Sequence, residues 1–350
     1  MFQKMTRDEL DKFAEARING APLSDAALKK LLAIESEAEL EKLYYTARKV
    51  RDHFFGNRVF LNCFIYFSTY CRNQCTFCYY NCKNKIKRYR LTRDDIEDIC
   101  KVLKGAGFHM VDLTMGEDPY FYEESERFVE LVKLVKDELG LPIMISPGVM
   151  RNEILLKARA NGANFFALYQ ETYDPELYAK LRVGQSFEGR IEARRFAKEK
   201  GYCVEDGLLT GIGNDIDSTV LSLRGMEAHK PDMVRVMTFI PQEGTPFEGQ
   251  QQNSNLSELK IIAVLRLLFP DRLIPASLDL EGIDGMELRL NAGANIVTSI
   301  LPPDSELEGV ANYDRKLEER DRDIKSVIQR LKTMGMEPAS QADFEKFLGA

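Results

Sequence analysis

No apolar run in this chain of 350 residues reaches the roughly 18 needed to cross a bilayer as a helix. The longest, at 59–67 and 261–269, have the length of a strand or a core helix. Positions 1–8 are polar and carry no signal-peptide apolar region. Long basic runs are missing too, and the formal net charge is −7. That argues against the Lys/Arg footprint of a nucleic-acid binder. Histidine is scarce: His53, His109 and His229 stand alone and suggest no site. There is no domain linker and no low-complexity stretch. The expectation is a monomeric cytoplasmic protein that engages neither membrane nor nucleic acid.

Cysteine is present but unevenly spread. Four of the seven fall in positions 71–82. A disulfide framework distributes its cysteines through a short secreted chain, so a reducing compartment and a metal role fit better. Cys71, Cys75 and Cys78 are spaced C-x3-C-x2-C, directly after the first apolar run. Thiolates ligate iron–sulfur clusters and structural zinc. Four close a site; three leave one metal position open. A zinc knuckle completed by Cys82 stays an alternative, since Cys78 to Cys82 repeats the x3 gap. Against it, zinc sites come as paired C-x2-C units, and no second pair is present. Such a chain would be a binding protein or electron carrier, not an enzyme. Cys63, Cys100 and Cys203 read as small buried apolar residues.

Residues 1–57 read as a helical segment, with Ser36 and Glu39 as a capping box and Gly56-Asn57 as a stop. From 58 to 303 strand-like and helix-like stretches alternate. Strands are expected at 59–67, 108–115, 142–146, 164–169, 202–210, 232–240, 272–277 and 294–300. Eight βα repeats in about 245 residues predict a (β/α)8 TIM barrel. Residues 304–350 read as a closing helical extension, with a charged, solvated helix at 314–332. Barrel active sites lie at the C-terminal strand ends, and the three cysteines follow strand one. Asp112, Ser146, Arg235, Ser277, Asp279 and Thr298 also lie on or just after strands. Buried charge is unfavourable unless a ligand or counter-charge answers it. Asp112 and Asp279 suit two ammonium groups, and Arg235, assisted by Ser277, suits one carboxylate. That set predicts a diamino-acid substrate.

The cysteine motif, with Phe77 before its last member, resembles the signature of radical S-adenosylmethionine (SAM) enzymes. The resemblance implies that Cys71, Cys75 and Cys78 hold a [4Fe–4S] cluster whose fourth iron binds SAM. One electron from an external reductant, passed through the cluster, then generates the hydrogen-abstracting 5′-deoxyadenosyl radical, with no catalytic side chain beyond these. Met115-Gly116-Glu117 is similar to the family's Gly-Gly-Glu motif, with Met115 replacing the first glycine. Tyr169, Glu171, Arg182 and Arg190 resemble SAM-contacting positions of the biotin-synthase and hydrogenase-maturase branch. Leu209, within 207–214, resembles the adenine-contacting stretch, with Asn214 in place of glutamate. Over its whole length, including 60–71, 77–82, 111–119, 146–150 and 168–172, the chain resembles the lysine mutases that open pyrrolysine biosynthesis. The implied reaction converts L-lysine to (3R)-3-methyl-D-ornithine. Hydrogen leaves C4, the C2–C3 bond breaks, and the fragments rejoin at the former C4. A sulfur-inserting role would need further cysteines on strands two and three, where Asp112 and Ser146 stand. A maturase role is the nearer rival, and the Asp112, Arg235, Asp279 set is what separates the two.

Overall fold

The computed structural model describes residues 2, 5–252, 254–302 and 322–349. Eight parallel strands build the barrel: β1 (Arg58–Ser68), β2 (Met110–Met115), β3 (Ile143–Ser146), β4 (Ala163–Ala167), β5 (Cys203–Thr210), β6 (Met233–Thr238), β7 (Pro275–Ser277) and β8 (Ile296–Ile300). Their order is β6-β5-β4-β3-β2-β1-β8-β7. Helices cover the outer face of the strands and side chains of the barrel interior fill the inner one, so most strand residues are buried, as parallel strands require. One bridge, Met233 to Leu273, joins the two ends of the order near the bottom. Towards the top β6 and β7 part, because β7 spans only three residues and begins with a proline that has no N–H to donate.

Three helices precede the barrel: α1 (Arg7–Ile18), α2 (Asp25–Leu32) and α3 (Glu37–Phe55). Gly56, at φ 63°, ends α3 as expected. The Ser36–Glu39 capping box does not form in full. The Ser36 hydroxyl meets the Glu39 carboxylate at 3.2 Å and makes no cap bond to backbone. The connecting helices are α4 (Arg93–Leu103), α5 (Pro119–Glu123), α6 (Glu126–Leu139), α7 (Asn152–Ala160), α8 (Pro175–Leu181), α9 (Phe187–Glu199), α10 (Ile216–His229), α11 (Leu256–Leu268) and α12 (Gly282–Asn291). Sequence periodicity missed α5 and α8. Each is too short to show a helical repeat, yet each carries a local start signal: Asp118 and Asp174 accept backbone N–H bonds ahead of Pro119 and Pro175.

The tail adds α13 (Ile324–Thr333), a ninth strand β9 (Glu337–Pro338) and α14 (Gln341–Leu348). The expected helix at 314–332 lies partly outside the described residues; within them α13 begins at Ile324. β9 pairs with Arg58 and Val59 of β1, a strand where only helices were expected. His109 pins the same region: its Nδ1 accepts from Leu61 N–H at 2.9 Å, so Nε2 carries the hydrogen towards Ala339 O at 2.8 Å. No helix among the described residues is long and apolar enough to cross a membrane.

The barrel interior is layered. Phe60, Met110, Met144, Phe165, Met233, Leu273 and Ile296 form an apolar floor, plugged from below by Phe344 of α14. Side chains alternate with period two. One step up from Met110, Met144, Cys203, Met233 and Ile296 therefore stand Asp112, Ser146, Glu205, Arg235 and Thr298. The same alternation that seals the floor builds the site.

Candidate active site

Cys71, Cys75 and Cys78 lie on the loop after β1 and line a cavity of about 300 Å³ at the top of the barrel. Cys82 is exposed and stands outside that lining. Backbone bonds fix the loop: Thr76 N–H to Leu181 O at 2.9 Å and Arg72 N–H to Glu117 O at 3.0 Å. Arg88 braces it from outside through the carbonyls of Thr69, Tyr80, Asn81 and Asn84. Burial pushes the Cys71 thiol up to about 11 and raises Cys78 as well. A mononuclear ion needs ligands converging within a few ångströms, and no three His, Cys, Asp or Glu among the described residues do so. A four-iron cluster asks instead for thiols around a larger volume.

Gly116 closes against this loop. A Cβ there would lie 2.3 Å from Tyr70 O. The Glu117 carboxylate accepts from Arg72 Nε and Val149 N–H, both at 3.1 Å, so it ties two loops together. Glu171 adopts φ 69°, unusual for a residue with a side chain, between backbone bonds to Gly207 and Leu209. Its carboxylate meets Arg182 at 2.5 Å. Glu171 Oε2 and Arg182 Nε are buried without a hydrogen-bond partner. Arg190 donates to Tyr169 O through Nε (3.1 Å) and Nη2 (2.8 Å). Burial and the Arg182 charge lower Arg190 to about 10. Phe77 lies 5.4 Å below the Arg182 guanidinium, beside an apolar patch that contains Leu209. Asn214 spans the Leu209–Gly211 turn, accepting from Gly211 N–H at 3.1 Å. Met115, Gly116, Glu117, Tyr169, Glu171, Arg182, Arg190 and Leu209 thus line one cavity with the cysteines.

Below them lies the charged layer. Arg235 Nε donates to Glu205 Oε1 at 2.7 Å, and Nη1 donates to Thr298 Oγ1 at 3.2 Å. Its Nη2 has no partner. Tyr169 OH donates to Glu205 Oε2 at 3.0 Å, so this residue serves both levels. The Ser146 hydroxyl donates to Asp112 Oδ1 at 2.9 Å. Burial, aided by the Glu205 charge, raises the Asp112 carboxyl to about 7. Asp279 is differently placed. Burial disfavours its charge, but Arg322 at 2.9 Å and the hydroxyls of Ser277 and Ser299 outweigh that, holding it below the usual carboxylate range. Ser277 thus serves Asp279 rather than Arg235. Thr298 reaches the cavity only through Arg235.

Sequence reading missed Glu205, Arg322, Ser299 and Gln185. Alternation on β5 carried a signal for Glu205, which is inward between Cys203 and Gly207. Arg322 lies 43 residues from Asp279, and nothing local pointed to it.

The Radical SAM superfamily model matches residues 65–223. The 3-methylornithine synthase of Methanosarcina acetivorans is 76% identical over 99% of this chain and 99% of its own length. The [FeFe] hydrogenase maturase subunit HydE of Thermotoga maritima is 31% identical, over 89% of this chain and 90% of its own. A crystal structure of methylornithine synthase (PylB) superposes with a TM-score of 0.94 at 75% identity, covering 96% of this chain and 99% of that one.

Proposed function

The chain belongs to the radical SAM superfamily, among its 3-methylornithine synthases, and from that premise we propose that it isomerises L-lysine to (3R)-3-methyl-D-ornithine, opening pyrrolysine biosynthesis. One observation carries the reading. A single cavity has three thiols at its mouth and Asp112, Arg235 and Asp279 towards its floor.

The residues fit the groups that the superfamily uses, a [4Fe–4S] cluster and SAM. Cys71, Cys75 and Cys78 would hold the cluster; burial favours neutral thiols only until metal displaces their protons. Glu171, Arg182, Arg190, Tyr169 and the Met115–Glu117 turn would hold SAM. Buried polar atoms are rarely left unpaired, and such a ligand would complete Glu171 Oε2 and Arg182 Nε. When bound, these groups supply one-electron chemistry strong enough to remove hydrogen from an unactivated C–H bond.

The charged layer matches lysine by count. Glu205–Arg235 and Asp279–Arg322 each cancel internally. Asp112 has no cationic partner within 4 Å among the described residues. Lysine brings two ammonium groups and one carboxylate, a net single positive charge, which an ionised Asp112 balances. Arg235 Nη2 offers the carboxylate its donor, and Asp279, at the cavity wall, would face the second ammonium. Clamping both ends keeps two fragments together after the skeleton opens. The apolar floor excludes water from below.

The test is anaerobic reconstitution with iron and sulfide, then incubation with SAM, dithionite and lysine deuterated at C4. Methylornithine should form, with deuterium in the product or in 5′-deoxyadenosine. A fully loaded chain that makes no product would sink the reading.

A further inference from the structure

Gln185 lies in the turn after α8, outside the cavity lining, where its backbone N–H donates to Arg182 O at 3.0 Å. Its side-chain Nε2 donates to Cys75 Sγ at 3.0 Å. The orientation of the amide is fixed from its other end: Oε1 accepts from Arg182 Nη1 at 3.3 Å and from Arg190 Nη1 at 3.4 Å. With the oxygen turned to two guanidinium groups, the NH2 must face the thiol. Arg182 Nη1 also approaches Cys75 Sγ, at 3.6 Å. Cys71, by contrast, accepts a backbone N–H from Asn73 at 3.4 Å, which no side-chain substitution removes.

A donor to a cluster thiolate disperses negative charge and so favours the more negative, reduced cluster. We propose that Gln185 is a positioning residue that raises the reduction potential of the cluster by donating a hydrogen bond to the Cys75 thiolate. This rests on the reading above, that Cys71, Cys75 and Cys78 hold a cluster. Gln185 also joins the cluster ligand to Arg182 and Arg190. Binding that pulls on either guanidinium therefore loosens or tightens the donor on the sulfur.

The experiment is an EPR-monitored redox titration of the reconstituted protein, with iron content measured on the same samples. Gln185→Met keeps length and charge but removes the donor. Gln185→Glu keeps an acceptor for both arginines, also removes the donor, and adds charge. In Gln185→Met the reduced-to-oxidised ratio at a fixed potential should fall about threefold, or about 28 mV for one electron. Gln185→Glu should fall further. An unchanged midpoint in whichever variant loads iron like the wild type overturns the proposal. If one variant fails to load, the other decides. If neither loads while the wild type does, Gln185 governs assembly instead of potential, and the proposal is overturned. If the wild type assembles no cluster, the reading of the three cysteines fails instead.

Discussion

The floor of the barrel and the layer above it are built by the same strands, one alternation step apart, and they do opposite work. Phe60, Met110, Met144, Phe165, Met233, Leu273 and Ile296 pack against Phe344 with no polar atom among their side chains. The layer above holds Asp112 and the Glu205–Arg235 pair, as deeply buried as the floor itself. Apolar burial stabilises by about 1.5–3 kcal/mol per side chain. A buried ion pair contributes little net stability against a hydrophobic replacement. The floor is therefore where the fold is held, and the layer is where stability is given up for recognition. The loop of cysteines stands at the far end of that gradient.

Substitutions should separate the levels. Cys75→Ala is expected to have the largest effect on function: reconstituted iron falls and isomerisation is lost. Unfolding of the metal-free chain should shift by no more than about 1 kcal/mol, because only one thiol at the cavity wall is removed. Phe165→Ala should do the reverse. Denaturant unfolding should lose about 3–5 kcal/mol, while turnover per folded, loaded chain stays as in the wild type. Glu205→Gln falls between. It leaves Arg235 a buried cation without its counter-charge, which costs about 3 kcal/mol or more, and the KM for lysine should change with it. If Glu205→Gln alters stability alone, the layer is structural and the comparison between the two levels fails.

How much of this was legible depended on how local its signal was. All eight barrel strands follow from apolar runs, and the structure moves their ends by at most three residues. Cys71, Cys75 and Cys78 announced themselves by spacing, and Asp112, Ser146 and Arg235 by lying where apolar strands should continue. Glu205 was readable by alternation, two residues before Gly207 on the inward face of β5. Gly207 earns its place by close packing: a Cβ would lie 2.9 Å from the Tyr169 ring. Arg322 and β9 could not be read, since each depends on where the tail returns to the barrel. The φ of Glu171 was equally hidden; it comes from β5 pairing on both sides of that residue.

The smallest expected effect tests the layer most directly. Ser146 donates to Asp112 Oδ1, which favours the charged carboxylate. Lysine binding needs that charge, so affinity should decline as pH falls through about 7. Ser146→Ala removes the favouring bond, worth about 1.5 kcal/mol for a charged acceptor. The Asp112 pKa then rises, and the acid limb of 1/KM for lysine moves to higher pH by about one unit. Glu205→Gln removes a negative neighbour that raises the same pKa, so its limb moves to lower pH. Asp112→Asn should abolish the limb in either background. Stability follows the same proton. Between its unfolded value near 3.8 and its folded value near 7, Asp112 binds a proton in the folded chain that it has lost in the unfolded one. Stability therefore falls as pH rises through that window. Ser146→Ala extends the fall upward, and melting temperatures from pH 5 to 8.5 should show it. Limbs that shift in the same direction for Ser146→Ala and Glu205→Gln would mean that the titrating group is not Asp112.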